Sequence, residues 1–254
     1  MDNVKLETKD RLLTITLSRG KANALDWKTV DELNQAVAIA KSDQGIRAVV
    51  LASDRPRFFS GGFDVSEVFA YDRPAMREFF GRFIALYEGL YHLPKPVVGA
   101  IGGHAFAGGA VLGISCDFRV MAQGDYGFAL NEINLGVILP AGIIAMAIDA
   151  VGFQSAYQLL LTGQPLSPAM ALEIGLAREL ASPETLVERS TALASTLGDK
   201  APGAFAGVKS ALRLRAGHPV TSGGQELEKF LDSWFSSEAT ERRQDLVKSL
   251  SRTA

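Results

Sequence analysis

Apolar and polar side chains alternate from Val4 to Glu7 and again from Leu12 to Leu17, with Lys9, Asp10 and Arg11 between the two runs. A period of two predicts strands, and the polar break predicts a tight turn between them. The loop SRGKANALD, residues 18–26, ends at Asp26, a residue suited to cap a helix, and the stretch from Thr29 to Ala40 has helical periodicity. Apolar runs at Arg47 to Ala52, Pro96 to Ile101 and Phe118 to Ala122 predict further strands, the first two followed by glycines and then a helix-like segment. Strands alternating with helices imply an α/β core around a largely parallel sheet, with right-handed crossovers.

Beyond about residue 141 the pattern changes. AGIIAMAIDAVG, FQSAYQLLLTG, SPAMALEIG and SPETLVERSTALASTLG read as consecutive helices, several opened by Ser-Pro and closed by Gly, with one hint of a strand at 176–180. The last two helical segments, about 223–236 and 238–250, combine charge with Leu227, Phe230, Leu231, Trp234, Phe235, Leu246 and Leu250. Such a stripe needs a surface to cover it, either the chain's own core or another subunit.

Composition narrows the function classes. The chain has 254 residues, 47% hydrophobic and 21% charged, with a formal net charge of −2 and no block of one sign. That is the make-up of a globular protein without a nucleic-acid groove or a membrane-surface helix. The single cysteine, Cys116, excludes an internal disulfide, and histidines at 92, 104 and 218 show no metal-ligand spacing. The polar N-terminus lacks a signal core and no apolar run is expected to reach the roughly 20 residues that span a bilayer, so the expected location is the cytoplasm.

Two glycine-rich turns carry candidate chemistry: FFSGGFDV, residues 58–65, and GGHAFAGGAVLGISCD, residues 102–117. A strand running through glycines into a helix leaves backbone N–H groups unpaired and aimed outward, which suits negative charge. Neither turn has the Walker or dinucleotide-binding spacing, and Ser115 lacks the glycine of a nucleophile elbow.

KANALD, FFSGGFD, AGGAVLGISCD and LNEINLGVILP, in this order and spacing, resemble the crotonase superfamily of acyl-CoA enzymes, most closely its 3,2-trans-enoyl-CoA isomerases. The resemblance implies an α/β spiral of strand-strand-helix units over 1–195 and a helical C-terminal region over 196–254 that trimerises. A homotrimer or a dimer of trimers, an acyl-CoA substrate and no permanently bound cofactor follow from it. It also implies an oxyanion hole formed by the N–H groups of Phe63 and Gly108, a coenzyme A loop at Ala22, Asn23, Ala24 and Leu25, and Glu132 as the catalytic acid–base. Hydratases of the superfamily carry a second glutamate where this chain has Val111.

That difference separates the reactions. Hydration needs water held and activated, a task two carboxylates share, whereas double-bond migration needs one base to take a proton from carbon 2 and return it to carbon 4. Since a general acid–base contributes about 100- to 10,000-fold, the missing partner predicts weak hydratase activity. The expected function is isomerisation of 3-enoyl-CoA in β-oxidation. Alternatives are thioester hydrolysis, decarboxylation, C–C cleavage, weak hydration, or non-catalytic acyl-CoA binding. Ile133, Leu135, Val137, Ile138 and Leu139 are expected to surround Glu132 and raise its pKa. Asp64 reads as an N-cap, His104 as structural, Cys116 as buried packing, and Arg57, Lys21 and Lys209 as solvated surface charge. The Phe63 ring is expected to narrow the acyl pocket.

Overall fold

The computed structural model describes residues 1–215 and 224–253; His218 and the first residue of the segment at 223–236 lie outside them. Strands β1 (Val4–Lys9) and β2 (Leu12–Leu17) form an antiparallel hairpin, and its turn places Asp10 and Arg11 at φ 48° and 66°. After α1 (Trp27–Ser42), β3 (Ala48–Ser53) joins β2 in parallel. Asp26 caps α1 by accepting from Thr29 N at 2.7 Å.

From β3 onward the chain repeats one unit. A strand of the main sheet is followed within a few residues by a short strand of a second sheet and then by a helix. The pairs are β3 with β4 (Phe58–Ser60), β5 (Val97–Ile101) with β6 (His104–Phe106), and β7 (Phe118–Ala122) with β8 (Phe128–Ala129). The helices that follow are α2 (Val65–Val68) with α3 (Arg73–Tyr91), then α4 (Gly108–Ser115), then α5 (Ala141–Thr162). The main sheet, completed by β9 (Glu179–Ala181), has the order β1-β2-β3-β5-β7-β9; the second has the order β4-β6-β8. This is the strand-strand-helix spiral.

Alternation within the apolar strands divides the core. Val49 and Leu51 face the larger core with α1 and α3, while Ala48, Val50 and Ala52 face a smaller one covered by α7 (Leu186–Gly198). A strand buried on both faces reads as a continuous apolar run, as β3 does. After α6 (Pro168–Glu173), β9 and α7, the chain continues through α8 (Pro202–Arg215), α9 (Gly224–Trp234) and α10 (Ser237–Thr253). The apolar stripe of α9 finds its cover within the same chain: Phe230, Leu231 and Trp234 are buried in the larger core, and the Phe230 ring stacks on Phe80 of α3.

Two expectations are corrected. Helix α5 does reach 22 residues and is apolar enough by composition to span a bilayer. It is broken at Gly152 (φ 76°), however, and Asp149 within it accepts a hydrogen bond from Tyr91. Lys209 is not solvated surface charge: it is 8% exposed, and with Arg213 it pairs with the buried carboxylate of Asp117.

Candidate active site

A cavity of about 430 Å³ opens between the second sheet, α3, α4 and the two last helices. The spiral brings Ala22, Ala24, Phe63, Gly108, Val111 and Glu132 to its wall, although they lie as far apart as 110 positions in sequence. Asn23 and Leu25 are fully buried instead and act as pins. The Asn23 side chain accepts from Arg19 N at 2.7 Å and donates to Ser53 Oγ at 2.7 Å, holding its own backbone at φ 46°. Leu25 N donates to Gly62 O at 2.8 Å and its carbonyl accepts from Asp64 N at 2.9 Å. Because the peptides on either side of Phe63 are tied to Leu25, the Phe63 N–H is held pointing away from that pairing.

The two proposed donors are prepared by backbone geometry. Neither Phe63 N nor Gly108 N donates to an acceptor among the described residues. Gly108 is the first residue of α4, so its N–H belongs to the unpaired first turn of a helix, where the partial positive charge of the dipole collects. The plane of the peptide that carries this N–H is set by Ala107, which has φ 47° and ψ −122°. An alanine held there stores about 1–3 kcal/mol of strain, which the hydrogen bond from Ala107 N to Ala129 O at 2.9 Å helps to hold. Glycines allow the close approach: a Cβ at Gly62 (φ 89°) would lie 2.9 Å from Phe106 O, and one at Gly109 only 2.3 Å from Ser60 O.

Glu132 begins a single 3-10 turn, Glu132–Leu135, just after β8. The residue is half-buried, yet its Oε2 is sealed from solvent and has no hydrogen-bond partner among the described residues; Oδ1 of Asn131 beside it is in the same condition. Burial pushes the Glu132 carboxyl up to about 7, opposed only by its own backbone N–H. Leu135, Val137 and Leu139 line the cavity with it, as expected. Ile133 and Ile138 do not: they are 41% and 55% exposed, Ile133 on the outer side of the 3-10 turn and Ile138 in the loop beyond it.

Asp64 is the other ionisable group among the residues lining the cavity. It accepts from Ser66 N at 2.9 Å, as the N-cap of α2, and pairs with Arg19 Nη1 at 2.6 Å. Burial alone would raise it, but the bonds from Ser66 and Arg19 outweigh that and hold it below the usual carboxylate range. An acid held in its ionised form by these bonds makes a poor proton carrier. Val111, wholly buried, lines the same cavity and brings no carboxylate to it.

The set-aside residues also have clear places. His104 Nδ1 accepts from Gly127 N at 3.0 Å and its ring stacks on Phe106. Cys116 ends α4 with its thiol buried, which pushes it up to about 12. Arg57 and Lys21 are exposed. The Phe63 ring lines the cavity and meets Phe79 and Phe83 edge to face at 5.0 and 4.9 Å.

Sequence reasoning missed two contributors. Arg19 ties the 19–25 loop to the N-caps of α1 and α2, through Asp26 at 2.9 Å and Asp64 at 2.6 Å, and also donates to Ala24 O at 3.1 Å. Nothing local marks it, since its partners are as much as 45 residues away. Helix α3 supplies Phe80 and Phe83 to the cavity, and the helical spacing of Met76, Phe79, Phe80, Phe83 and Tyr87 was a legible signal.

Comparison with known proteins agrees with the family and the fold. The profile of the enoyl-CoA hydratase/isomerase family matches residues 7–248. Carnitinyl-CoA dehydratase of Salmonella typhi is 31% identical over 222 residues, 87% of this chain and 84% of the relative. Human mitochondrial delta3-delta2-enoyl-CoA isomerase superposes with a TM-score of 0.93 at 24% identity, covering 99% of both chains. A Mycobacterium tuberculosis protein, described in one structure as an enoyl-CoA isomerase and in another as a probable enoyl-CoA hydratase, gives 0.80 at 28% identity in the first, covering 90% of this chain and 97% of its own. With a family profile spanning nearly its whole length and the spiral fold to match, this chain belongs to the enoyl-CoA hydratase/isomerase family, the crotonase-type acyl-CoA enzymes.

Proposed function

We propose that the enzyme moves the double bond of a 3-enoyl-CoA to the 2-position, with Glu132 as the single proton carrier. The observation that carries this reading is one unpaired, buried carboxylate in a cavity whose other acid, Asp64, is tied to Arg19 and Ser66. Glu132 takes a proton from carbon 2; the electrons move onto the thioester oxygen, and the dienolate collapses as the same carboxyl returns the proton to carbon 4. The Phe63 and Gly108 N–H groups receive the developing charge. One such donor is worth about 2.7–4 kcal/mol in an oxyanion hole. A base with its pKa near 7 is matched to work near neutrality.

Ala22 and Ala24 place the coenzyme end of the substrate at the cavity, on the loop that Asn23 and Arg19 hold rigid. Relatives named as dehydratases raise the elimination of water instead, but the apolar Val111 removes the second carboxylate such chemistry uses in hydratases. The chain assembles as a trimer or a pair of trimers. Phe153, Tyr157 and Leu161 on α5 and Val208 and Leu212 on α8 are each more than half exposed and supply an apolar surface for it. Purified protein given a 3-enoyl-CoA is expected to generate the absorbance of the conjugated thioester. Release of free CoA without that absorbance would replace isomerisation with hydrolysis, and light scattering at the monomer mass would remove the trimer.

A further inference from the structure

Arg243 on α10 is a buried guanidinium that no carboxylate meets among the described residues. It is 7% exposed, and burial alone moves its pKa, downward, with no charged group acting on it. Removing a cation from water is costly unless something else faces it. Here aromatic rings do: the guanidinium lies 4.4 Å from the centroid of the Trp234 ring and 5.7 Å from that of Phe69. Nη1 donates to the carbonyl of Trp234, the last residue of α9, and Nη2 to Thr240 Oγ1 at 3.3 Å. Arg243 therefore holds both the backbone and the ring of Trp234.

Arg243 is not among the residues that line the cavity, but the rings it holds are. Phe69 and Trp234 meet edge to face at 5.5 Å, and the wall continues through Phe230, 5.7 Å from Trp234, and Phe80, stacked on Phe230, to Phe63, 6.1 Å from Phe80. The charged and amide side chains of the cavity, Asp64, Asn131 and Glu132, stand outside this run of rings. Of an acyl-CoA only the acyl chain is hydrocarbon throughout, so this wall is where it gains cover.

We infer that Arg243 sets the acyl-chain preference of the enzyme from behind the cavity: by clamping Trp234 and Phe69 it keeps the aromatic wall from yielding to methylenes that would displace those rings. The inference rests on the proposed reading of the cavity as an acyl-CoA site and needs no step of the reaction. Each methylene that finds apolar cover tightens binding about fourfold. One that must push a packed ring aside loses that gain, because interiors are close-packed and overfilling forces side chains off their rotamers. A ring freed of its cation and of the anchor at its carbonyl turns more readily, and the wall gives way. Arg243 is thus a positioning residue that touches no substrate. A role confined to docking α10 on α9 has a different consequence, since its loss weakens all esters alike.

The test is calorimetric binding of saturated butanoyl-, octanoyl-, dodecanoyl- and hexadecanoyl-CoA to the full-length protein, below their micelle concentrations, beside turnover of a 3-enoyl-CoA. In the parent, affinity is expected to rise with chain length and then level off or fall. In Arg243→Ala, the esters beyond that length gain at least tenfold relative to those below it, less than two newly covered methylenes supply. Arg243→Met, which fills the same space without an N–H donor, decides if the alanine variant does not fold. Affinity that rises through the whole series in the parent, a relative gain below tenfold, or an equal weakening of every ester overturns the inference. Binding without turnover of the 3-enoyl-CoA sinks isomerisation alone, and the length profile still decides the inference; binding of none of the esters sinks the acyl-CoA reading and the inference together.

Discussion

Asp117 and Glu132 are both acids removed from water, and the fold treats them in opposite ways. Both oxygens of Asp117 are occupied: Oδ2 accepts from Val97 N at 2.8 Å and from Lys209 at 2.8 Å, and Oδ1 accepts from Arg213 at 2.6 Å. Arg213 lies in turn over the Tyr91 ring, 3.3 Å from its centroid. Among the described residues no cation shifts Glu132, and one of its oxygens has no partner. Asp117 knits α8 to the ends of β5 and α4, so its environment is complete without a ligand. Glu132 lines the cavity, with one oxygen that finds no partner among the described residues. Burial marks both, and the presence or absence of partners separates an acid that serves the fold from one proposed to serve a substrate.

The contrast can be broken by substitution. The largest expected effect is on chemistry: Glu132→Gln should lower the isomerisation rate about 100- to 10,000-fold with the fold intact, measured as kcat on a 3-enoyl-CoA. Retention within tenfold of the parent rate would remove Glu132 from the mechanism. Next is Asp117→Ala, which leaves Lys209 and Arg213 as buried, unmatched cations. A loss of about 3–5 kcal/mol in denaturant unfolding is expected, since breaking one partner from a buried pair strands the others. If Asp117→Ala unfolds like the parent protein, the pairing is not what holds α8.

A smaller effect tests how the donors are aimed. Gly62→Ala would drive a methyl to 2.9 Å from Phe106 O and turn the Phe63 N–H, so a fall in kcat of about 10- to 100-fold is expected, less than complete loss of one donor. Circular dichroism separates this from unfolding.

The pH dependence sharpens the same comparison. With its carboxyl at about 7, Glu132 is mostly protonated at pH 6, so kcat/KM should fall nearly tenfold per unit as pH drops below 7 and level off above it. A profile flat down to pH 5 would contradict the buried base. The smallest effect is on stability. Because the folded-state value lies above the unfolded one, near 4.5, the folded protein holds the proton more tightly; that advantage is complete below pH 4.5 and is lost as pH rises through 7. Glu132→Gln avoids the buried charge, so it should be about 1–3 kcal/mol more stable than the parent at pH 8 and equal to it near pH 4. Equal stability at both pH values would show that solvent reaches the carboxylate.

Much of the fold was legible because local pattern and tertiary burial agree. The β1–β2 hairpin, the capped helix after Asp26, and strands β3, β5 and β7 appear where alternation or apolar runs place them. The second sheet was not legible. Its strands are three, three and two residues long, too short for a period to register, and they are specified by parallel pairing with each other. The chain's own repeat was hidden for the same reason, since the short strands mark each turn of the spiral.

By itself, the sequence supplied the candidates for chemistry: a lone glutamate in an apolar run, two glycine turns before helices, and a valine where the resemblance implies a second acid in hydratases. Those are matters of side-chain type and local spacing, which the chain carries without folding. Only the tertiary structure decided which of them meet, that Asp64 is spent on Arg19, that Lys209 is buried against Asp117, and that Glu132 keeps an unmatched oxygen. Hydrogen-bond saturation depends on partners tens of residues away, and no local pattern records whether a polar atom has found one.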